Sequence, residues 1–235
     1  MNKKRILIAS LLLNGVFIFL LLNVYVWHLG VRYHVKKVLG VNKVGSYKDP
    51  GNNKEYTDLY AVYPRKQAAI VMLGDSITQG VEWDELLDRN DIVNQGIGGD
   101  DTLGMLNRLS FVYKLNPKIC FVMGGVNDLR RGSSVGEVFE HYKKIITGLE
   151  EHGVTPVIQS TLYSNRLLSG ETDALDRLLE QYAASRNLYY MDLNKLLAVD
   201  KVLNRDYSLD GLHLNAKGYE IWGKEVESVL KKYGL

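Results

Sequence analysis

The stretch AAIVMLGDSIT, residues 68–78, decides the fold predicted for this chain of 235 residues. Its first six residues are apolar without a break, and such a run predicts a β-strand that helices cover on both faces. Gly74 then permits a tight turn, after which Ser76 opens the next segment. Short apolar runs of the same kind predict four further strands, at residues 92–94, 119–123, 155–160 and 188–192.

Amphipathic stretches separate the predicted strands. A helix with its apolar face on the sheet is predicted from the spacing of Leu103, Leu106 and Leu109. Further helical stripes lie at residues 138–149, 175–182 and 219–230. Asn215 is placed to cap the last of these helices. The alternation of strands and helices predicts the α/β class, with a five-stranded parallel sheet wrapped by helices.

Polar clusters follow three of the predicted strands and precede the last helix. Parallel sheets bind ligands at the carboxyl ends of their strands, so these clusters are expected to lie together. They read GDSIT at 74–78, NQGIGGDDT at 94–102, GGVND at 124–128 and DGLH at 210–213. Each cluster alone is also typical of a turn, but their joint placement at strand ends predicts one functional site.

The residue types in these clusters suit acyl transfer. A serine hydroxyl needs a base within hydrogen-bond reach, and the base needs a partner that orients it. Ser76 is the candidate nucleophile, His213 is the candidate base, and Asp210 is its partner. The N–H groups of Ser76 and Gly99 and the side-chain amide of Asn127 are candidate donors to the oxyanion of a tetrahedral intermediate.

No cofactor and no metal are expected from the sequence. The glycines at positions 96, 98 and 99 lack the spacing of a dinucleotide-binding fingerprint, and the chain has no phosphate-binding loop of the Gly-Lys-Ser/Thr type. No cluster of His, Cys and Asp has the spacing of metal ligands. Cys120 is the single cysteine, which excludes an intrachain disulfide.

The four clusters resemble the sequence blocks of the SGNH (GDSL-type) hydrolase superfamily. The resemblance covers residues 67–235 and is greatest for the branch that includes platelet-activating-factor acetylhydrolase and bacterial carbohydrate acetylesterases. It implies a flavodoxin-like three-layer α/β/α sandwich and ester hydrolysis through an acyl-serine at Ser76, without a metal. Ile77 stands where the name-giving leucine of the family sits, and Gly98 is the alternative to Gly99 as an oxyanion donor.

Candidate contacts to the substrate are less specific. Asp75 and Asp100 adjoin the candidate nucleophile and oxyanion donor, and Arg166 lies in a loop that suits a polar or anionic substrate. A solvated loop is the alternative for Arg166. The sequence predicts a serine esterase for small acyl groups, notably acetyl esters on a glycan. A lysophospholipase or thioesterase, an O-acetyltransferase and an inactive binding module remain alternatives.

The N-terminal segment predicts attachment to a membrane. Residues 6–31 contain no Asp, Glu, Lys or Arg, and about 20 apolar residues suffice to span a bilayer. An uncleaved anchor is favoured over a cleaved signal peptide because the apolar run is long and no good cleavage site follows it. Residues 32–66 are expected to form a juxtamembrane segment and linker, ahead of a hydrolase domain at 67–235 outside the cytoplasm.

The charge distribution argues against nucleic acid as a partner. Residues 1–45 carry seven Lys and Arg side chains and no acidic one, whereas the remaining residues carry 22 basic and 27 acidic side chains. Binding to phosphates needs a basic surface, which the acidic main body does not supply. The basic N-terminal flank suits a membrane surface instead. The sequence leaves the oligomeric state open.

Overall fold

The structure, a computed structural model, describes residues 50–235 with the exception of residues 166, 168 and 209. The predicted membrane anchor at residues 6–31 lies outside the described residues, and so does the first part of the predicted linker. None of the helices in the described part of the chain is long and apolar enough to cross a membrane.

A parallel sheet lies at the centre of the described residues. Its strands are β1 (Ile70–Gly74), β2 (Ile92–Gly96), β3 (Ile119–Val122), β4 (Thr155–Gln159) and β5 (Tyr189–Met191). Their spatial order is β2-β1-β3-β4-β5, so the first strand of the chain lies between β2 and β3. All five predicted strands are confirmed, with small shifts at their ends. In this flavodoxin-like order the chain's connections diverge at the carboxyl end of β1, and a ligand site is expected there.

Helices pack against both faces of this sheet. The helices are α1 (Pro50–Val62), α2 (Ser76–Gln79), α3 (Trp83–Leu86), α4 (Thr102–Asn107), α5 (Leu109–Tyr113), α6 (Val126–Arg131), α7 (Val135–Glu151), α8 (Ser169–Ser185), α9 (Asn194–Leu197) and α10 (Ala216–Lys232). A short antiparallel hairpin of β6 (Ala198–Val199) and β7 (Val202–Leu203) follows α9. Asn215 caps α10 as predicted, because its side chain accepts a hydrogen bond from Gly218 N.

Alternate residues of β1 face two separate parts of the core. Ile70 and Met72 pack with apolar side chains of α2, α3, α9 and α10 on one side of the sheet. Val71 and Leu73 pack with apolar side chains of α4, α5, α7 and α8 on the other side. Because both faces of the strand are buried, its sequence is continuously apolar rather than alternating.

Helix α10 packs over the part of the core that contains Ile70 and Met72. The ring of its Trp222 meets Trp83 edge-on, with 4.7 Å between the ring centroids. The Trp222 indole N–H donates a hydrogen bond to Gln159 Oε1 over 2.6 Å. Tyr219 on the same helix donates its hydroxyl to the carbonyl of Ile77 over 2.8 Å. Buried aromatic side chains with satisfied polar atoms stabilise a core strongly, so α10 holds helix α2 in place.

Helix α1 occupies much of the segment predicted to be a linker. The ring of Tyr60 packs against Phe111 with 5.8 Å between the centroids. The hydroxyl of Tyr56 accepts a hydrogen bond from Gln79 Nε2 over 2.7 Å. The linker prediction is wrong over α1. The Asn, Gly and Lys residues of this segment are typical of a linker, but Tyr56 and Tyr60 lie one helical turn apart and both contact the domain.

The predicted stripe of Leu103, Leu106 and Leu109 is only partly correct. Leu109 is buried, whereas Leu103 is exposed and Met105 takes the buried position in the same helix. The backbone leaves helical geometry at Arg108, with φ −112° and ψ 12°, and this residue separates α4 from α5. The interruption changes which side chains face the sheet, and the Arg108 side chain itself is buried.

Candidate active site

The candidate nucleophile Ser76 stands directly after β1, as the first residue of α2. Asp75 caps this helix, since its carboxylate accepts a hydrogen bond from Ile77 N over 2.9 Å. Gly74 is required at the strand end because a Cβ there would lie 2.0 Å from Thr78 Oγ1. The tight turn places the Ser76 side chain at the carboxyl edge of the sheet, where the residue is partly exposed.

The candidate base His213 reaches Ser76 from a distant part of the chain. Its Nε2 atom lies 3.0 Å from Ser76 Oγ, although 137 positions separate the two residues. Its Nδ1 atom lies 2.8 Å from Asp210 Oδ2. When Nδ1 donates its proton to Asp210, Nε2 carries a lone pair that accepts a hydrogen bond from the Ser76 hydroxyl. The structure therefore brings the three predicted residues into one hydrogen-bonded row.

A tight loop orients Asp210 towards His213. Asp210 Oδ1 accepts hydrogen bonds from the backbone N–H groups of Leu212, over 3.0 Å, and of His213, over 2.8 Å. Gly211 has a φ of +74°, a left-handed conformation that favours glycine. Partial burial acts to raise the pKa of Asp210, but hydrogen bonds from His213 and Leu212 outweigh it and lower that pKa well below its usual value. The carboxylate is therefore ionised beside the imidazole.

The third polar cluster brings the Asn127 amide to the same edge of the sheet. Asn127 lies in the first turn of α6, and its Nδ2 atom donates a hydrogen bond to the carbonyl of Asp100 over 2.9 Å. The same atom lies 3.4 Å from Asp75 Oδ2, and Asp75 adjoins Ser76. These residues meet because β1 and β3 are hydrogen-bonded neighbours.

The second polar cluster places Gly99 in a left-handed conformation, with a φ of +76°. Gly98, the alternative oxyanion donor, does not have a positive φ. The carbonyl of Gly99 accepts a hydrogen bond from Arg131 Nη2 over 2.6 Å. The loop therefore favours glycine at position 99, while the oxyanion roles of Gly99 and Asn127 stay predictions.

Two of the predicted substrate contacts are buried carboxylates. Asp75 has no exposed surface, and burial raises its pKa to about 7. Asp100 pairs with Arg108, whose Nε atom lies 2.8 Å from Asp100 Oδ2. Direct contact with a substrate does not fit either residue, because neither reaches a surface that a substrate touches. The third candidate, Arg166, lies outside the described residues.

A buried arginine beneath the site was missed by sequence reasoning. Arg108 donates from Nη2 to the carbonyl of Gly74 over 3.0 Å, in addition to its pairing with Asp100. The only indication of this arginine in the sequence is its position next to Leu109, within a segment whose apolar residues have helical spacing. Fully buried arginine is rare unless it is paired, so such a position is not inferred from the sequence alone.

Polar side chains surround the loops that carry the candidate triad and oxyanion donors. Arg131 covers the second cluster, as described above. The Oε1 atom of Gln79 lies 2.9 Å from the position that a Cβ on Gly98 would take. The side-chain amide of Asn165 lies against Gly211, where it would meet a Cβ at that position. The sequence does not distinguish these three side chains from others, because polar residues on surface loops are common.

The structure offers no obvious metal centre in residues 50–235. Within the described part of the chain, no group of three or more His, Cys, Asp and Glu side chains is arranged to hold an ion. Cys120 is buried in β3, and burial raises the pKa of its thiol above the usual range. A buried thiol of this kind stays protonated and unreactive at neutral pH.

Solved structures share the fold of this chain. A GDSL-like lipase from Bacteroides thetaiotaomicron is 21% identical, with a TM-score of 0.66 over 77% of this chain and 98% of the other. The acetyl xylan esterase AlAXEase is also 21% identical, with a TM-score of 0.58 over 68% of this chain and 98% of the other.

A curated relative extends the comparison at the level of sequence. N-acylneuraminate cytidylyltransferase of Streptococcus agalactiae serotype III is 25% identical over 177 residues, which are 74% of this chain and 41% of that protein. The chain thus spans less than half the length of this relative. The model of the GDSL-like lipase/acylhydrolase family matches residues 72–221, which is well over half of the chain and includes all four polar clusters. The chain belongs to the GDSL-like lipase/acylhydrolase (SGNH) family.

Proposed function

We propose that this protein is a serine esterase that hydrolyses small acyl esters, acetyl esters foremost, on carbohydrate. One observation carries the proposal: Ser76, His213 and Asp210 form a continuous row of hydrogen bonds, with distances of 3.0 and 2.8 Å. A serine hydroxyl is a weak nucleophile by itself, and an oriented neutral imidazole beside it removes its proton as it attacks.

Acylation begins when Ser76 Oγ attacks the carbonyl carbon of the ester. His213 Nε2 takes the hydroxyl proton, and the ionised Asp210 stabilises the imidazolium that results. The tetrahedral intermediate then collapses, and the imidazolium returns its proton to the oxygen of the departing alcohol. In the second half of the reaction, a water molecule attacks the acyl-serine with His213 again as base, which releases the acid and restores Ser76.

The oxyanion of the intermediate needs donors that are oriented before the reaction starts. The N–H groups of Ser76 and Gly99 and the amide of Asn127 fill this role in the proposed mechanism. Asn127 Nδ2 donates to the Asp100 carbonyl over 2.9 Å, which fixes the amide plane, and to Asp75 Oδ2 over 3.4 Å. In the proposed mechanism the oxyanion replaces Asp75 as acceptor of the second, longer hydrogen bond. Donors held in this way stabilise developing charge without reorganising during the reaction.

The surroundings of the site support a polar alcohol component. The side chains of Gln79, Arg131 and Asn165 adjoin the site loops, and all three are hydrogen-bonding groups that suit the hydroxyls of a sugar. The names of two similar proteins refer to carbohydrate: one is an acetyl xylan esterase, and the other acts on N-acylneuraminate. Together these observations favour an acetylated glycan over a lipid as the ester.

A series of acyl esters tests the proposed substrate class. We expect kcat/KM for 4-nitrophenyl acetate to exceed that for the octanoate by about 10-fold or more. A site for small acyl groups binds the transition state less well as methylenes are added to the acyl chain. We also expect acetate release from acetylated xylan, with Ser76→Ala as the blank. A preference for octanoate or lysophosphatidylcholine would favour the lysophospholipase alternative, and acetyl transfer to added sugar faster than to water would favour the transferase.

We also propose that residues 6–31 anchor the protein in a membrane, with the catalytic domain outside the cytoplasm. The support is the run of 26 residues without a charged side chain, which exceeds the length that a spanning helix needs. Tyr25 and Trp27 are suited to the membrane interface near its end. An esterase held in this way meets glycans at the cell surface.

Fractionation of cells tests the anchor. The full chain is expected in the membrane pellet after a carbonate wash, and a variant beginning at Lys48 is expected to be soluble. Lys48 is a better start than Gln67 because α1 contacts Phe111 and Gln79. Recovery of the full chain in the soluble fraction contradicts the anchor. A mature N-terminus that begins after residue ~25 shows a cleaved signal peptide instead.

A further inference from the structure

We propose that Arg108 and Asp100 form a buried positioning pair that holds the oxyanion donors Asn127 and Gly99 against the nucleophile turn. The inference rests on the proposed esterase function for its kinetic part. Neither side chain reaches the reacting atoms, so both act through the groups that they hold.

Asp100 connects the pair to both donors. Its carboxylate accepts a hydrogen bond from Arg108 Nε over 2.8 Å, with only 2% and 0% of the Arg108 and Asp100 side chains exposed. Its carbonyl accepts the hydrogen bond from Asn127 Nδ2 over 2.9 Å. Its peptide nitrogen is bonded to Gly99. A displacement of Asp100 therefore moves the Asn127 amide and the Gly99 peptide together.

Arg108 also contacts the nucleophile turn. Its Nη2 atom donates to the carbonyl of Gly74 over 3.0 Å, and the same carbonyl accepts a hydrogen bond from Ile97 N over 3.1 Å. Gly74 lies two residues before Ser76. The rigid guanidinium thus fixes the distance between the turn after β1 and the loop after β2, which a lysine ammonium with its single nitrogen cannot do in the same way.

Stability alone does not account for this pair. Removing two charges from water is costly, and replacing a buried ion pair by apolar side chains is often neutral or stabilising. The cost is higher here because Arg108 Nη1 is buried without a hydrogen-bond partner among the described residues. The pair contacts the loops that carry Ser76 and the oxyanion donors, so we explain it by the geometry that it imposes on those loops.

The first test compares Arg108→Met with Arg108→Lys and with a control, Leu109→Ala. We expect Arg108→Met to lower kcat by about 10–100-fold with KM within about twofold, since misplaced oxyanion donors affect the transition state and not the ground state. Arg108→Lys should recover part of the loss. Leu109→Ala removes buried apolar surface next to Arg108, so it should lower the melting temperature and leave kcat unchanged.

A double-mutant cycle with Asn127→Ala identifies the group through which the pair acts. Asn127→Ala alone is expected to lower kcat by about 10²–10³. Arg108→Met should then lower kcat by a clearly smaller factor in the Asn127→Ala background than in the wild type, because the donor that Arg108 positions is already absent. Full additivity of the two losses, or an effect of Arg108→Met on KM alone, overturns the proposal.

Hydrogen exchange of the backbone amides at residues 96–102 provides a readout that does not depend on activity. We expect faster exchange in this segment for Arg108→Met than for Leu109→Ala when each variant is measured the same number of degrees below its own melting temperature. Equal exchange overturns the positioning role even if kcat falls. A wild type without esterase activity would refute the proposed function, while this measurement would still decide the role of the pair. Asp100→Asn serves for the same readouts if Arg108→Met does not fold.

Discussion

Alanine in place of Ser76 is expected to lower kcat for acetyl esters by about 10⁴–10⁶ and to leave the fold intact. The loss is large because, in the proposed mechanism, Ser76 Oγ is the atom that forms the acyl intermediate. No other hydroxyl is described within hydrogen-bond distance of His213 Nε2 among the described residues of 50–235. The partly exposed side chain contributes little to stability, since surface substitutions usually change it by less than ~0.5 kcal/mol.

Steady-state rates and circular dichroism check this expectation, and Ser110→Ala is the matched control. Ser110 is an exposed serine in α5, so its replacement removes the same hydroxyl without touching the site. Ser76→Ala should also lose labelling by a fluorophosphonate probe, whereas Ser110→Ala should keep it. Retention of more than about one tenth of the wild-type rate in Ser76→Ala would show that another group is the nucleophile.

Asparagine in place of Asp210 is expected to lower kcat by about 10²–10⁴. The carboxylate contacts His213 Nδ1 over 2.8 Å. In the proposed mechanism it orients the ring and stabilises the imidazolium, and an amide of the same size supplies no charge. The hydrogen bonds to Asp210 keep its pKa well below the usual value, so the wild-type side chain is ionised throughout the pH range of an esterase assay.

The pH profile separates this role from simple damage to the loop. The base works only when its imidazole is neutral, so kcat/KM falls at low pH. A neighbouring negative charge favours the protonated imidazolium, and its removal disfavours that form. The acid limb of kcat/KM should therefore move to lower pH in Asp210→Asn, together with the lower plateau.

Asp206→Asn is the control for Asp210→Asn, because it removes the same charge from an exposed position of the same loop. We expect its acid limb and plateau to match those of the wild type. An acid limb that stays in place in Asp210→Asn with an unchanged plateau, or an equal shift in both variants, would show that Asp210 is not the partner of His213.

The sheet and the candidate triad were accessible from the sequence because both depend on local signals. A strand buried on both faces must be apolar throughout, as β1 is, and its carboxyl end in a parallel sheet must adjoin those of its neighbours. The separate clusters around Ser76, Asn127 and His213 then meet by topology. A short loop with Asp three positions before His also predicts the contact that the structure shows between Asp210 and His213.

Other features were not accessible because they depend on contacts across the fold. Asp75 and Asp100 adjoin site residues in sequence, but their side chains turn inward, one to cap α2 and one to pair with Arg108. The inward turn of Arg108 follows from a break in helical geometry that apolar spacing does not reveal. Helix α1 has a composition typical of loops, and only its contacts with Phe111 and Gln79 show that its tyrosine face packs on the domain.

The order of these elements along the chain also governs when the protein becomes active during its own synthesis. Strands β1 to β5 leave the ribosome before the loop of His213 and before α10. Trp83 therefore lacks its packing partner Trp222 while the strands of the sheet have already been made. Contacts between such distant residues form slowly. A growing polypeptide therefore lacks the candidate base and exposes one apolar face of its sheet until α10 has been added. We expect premature termination before His213 to yield a chain that is both inactive and prone to aggregate.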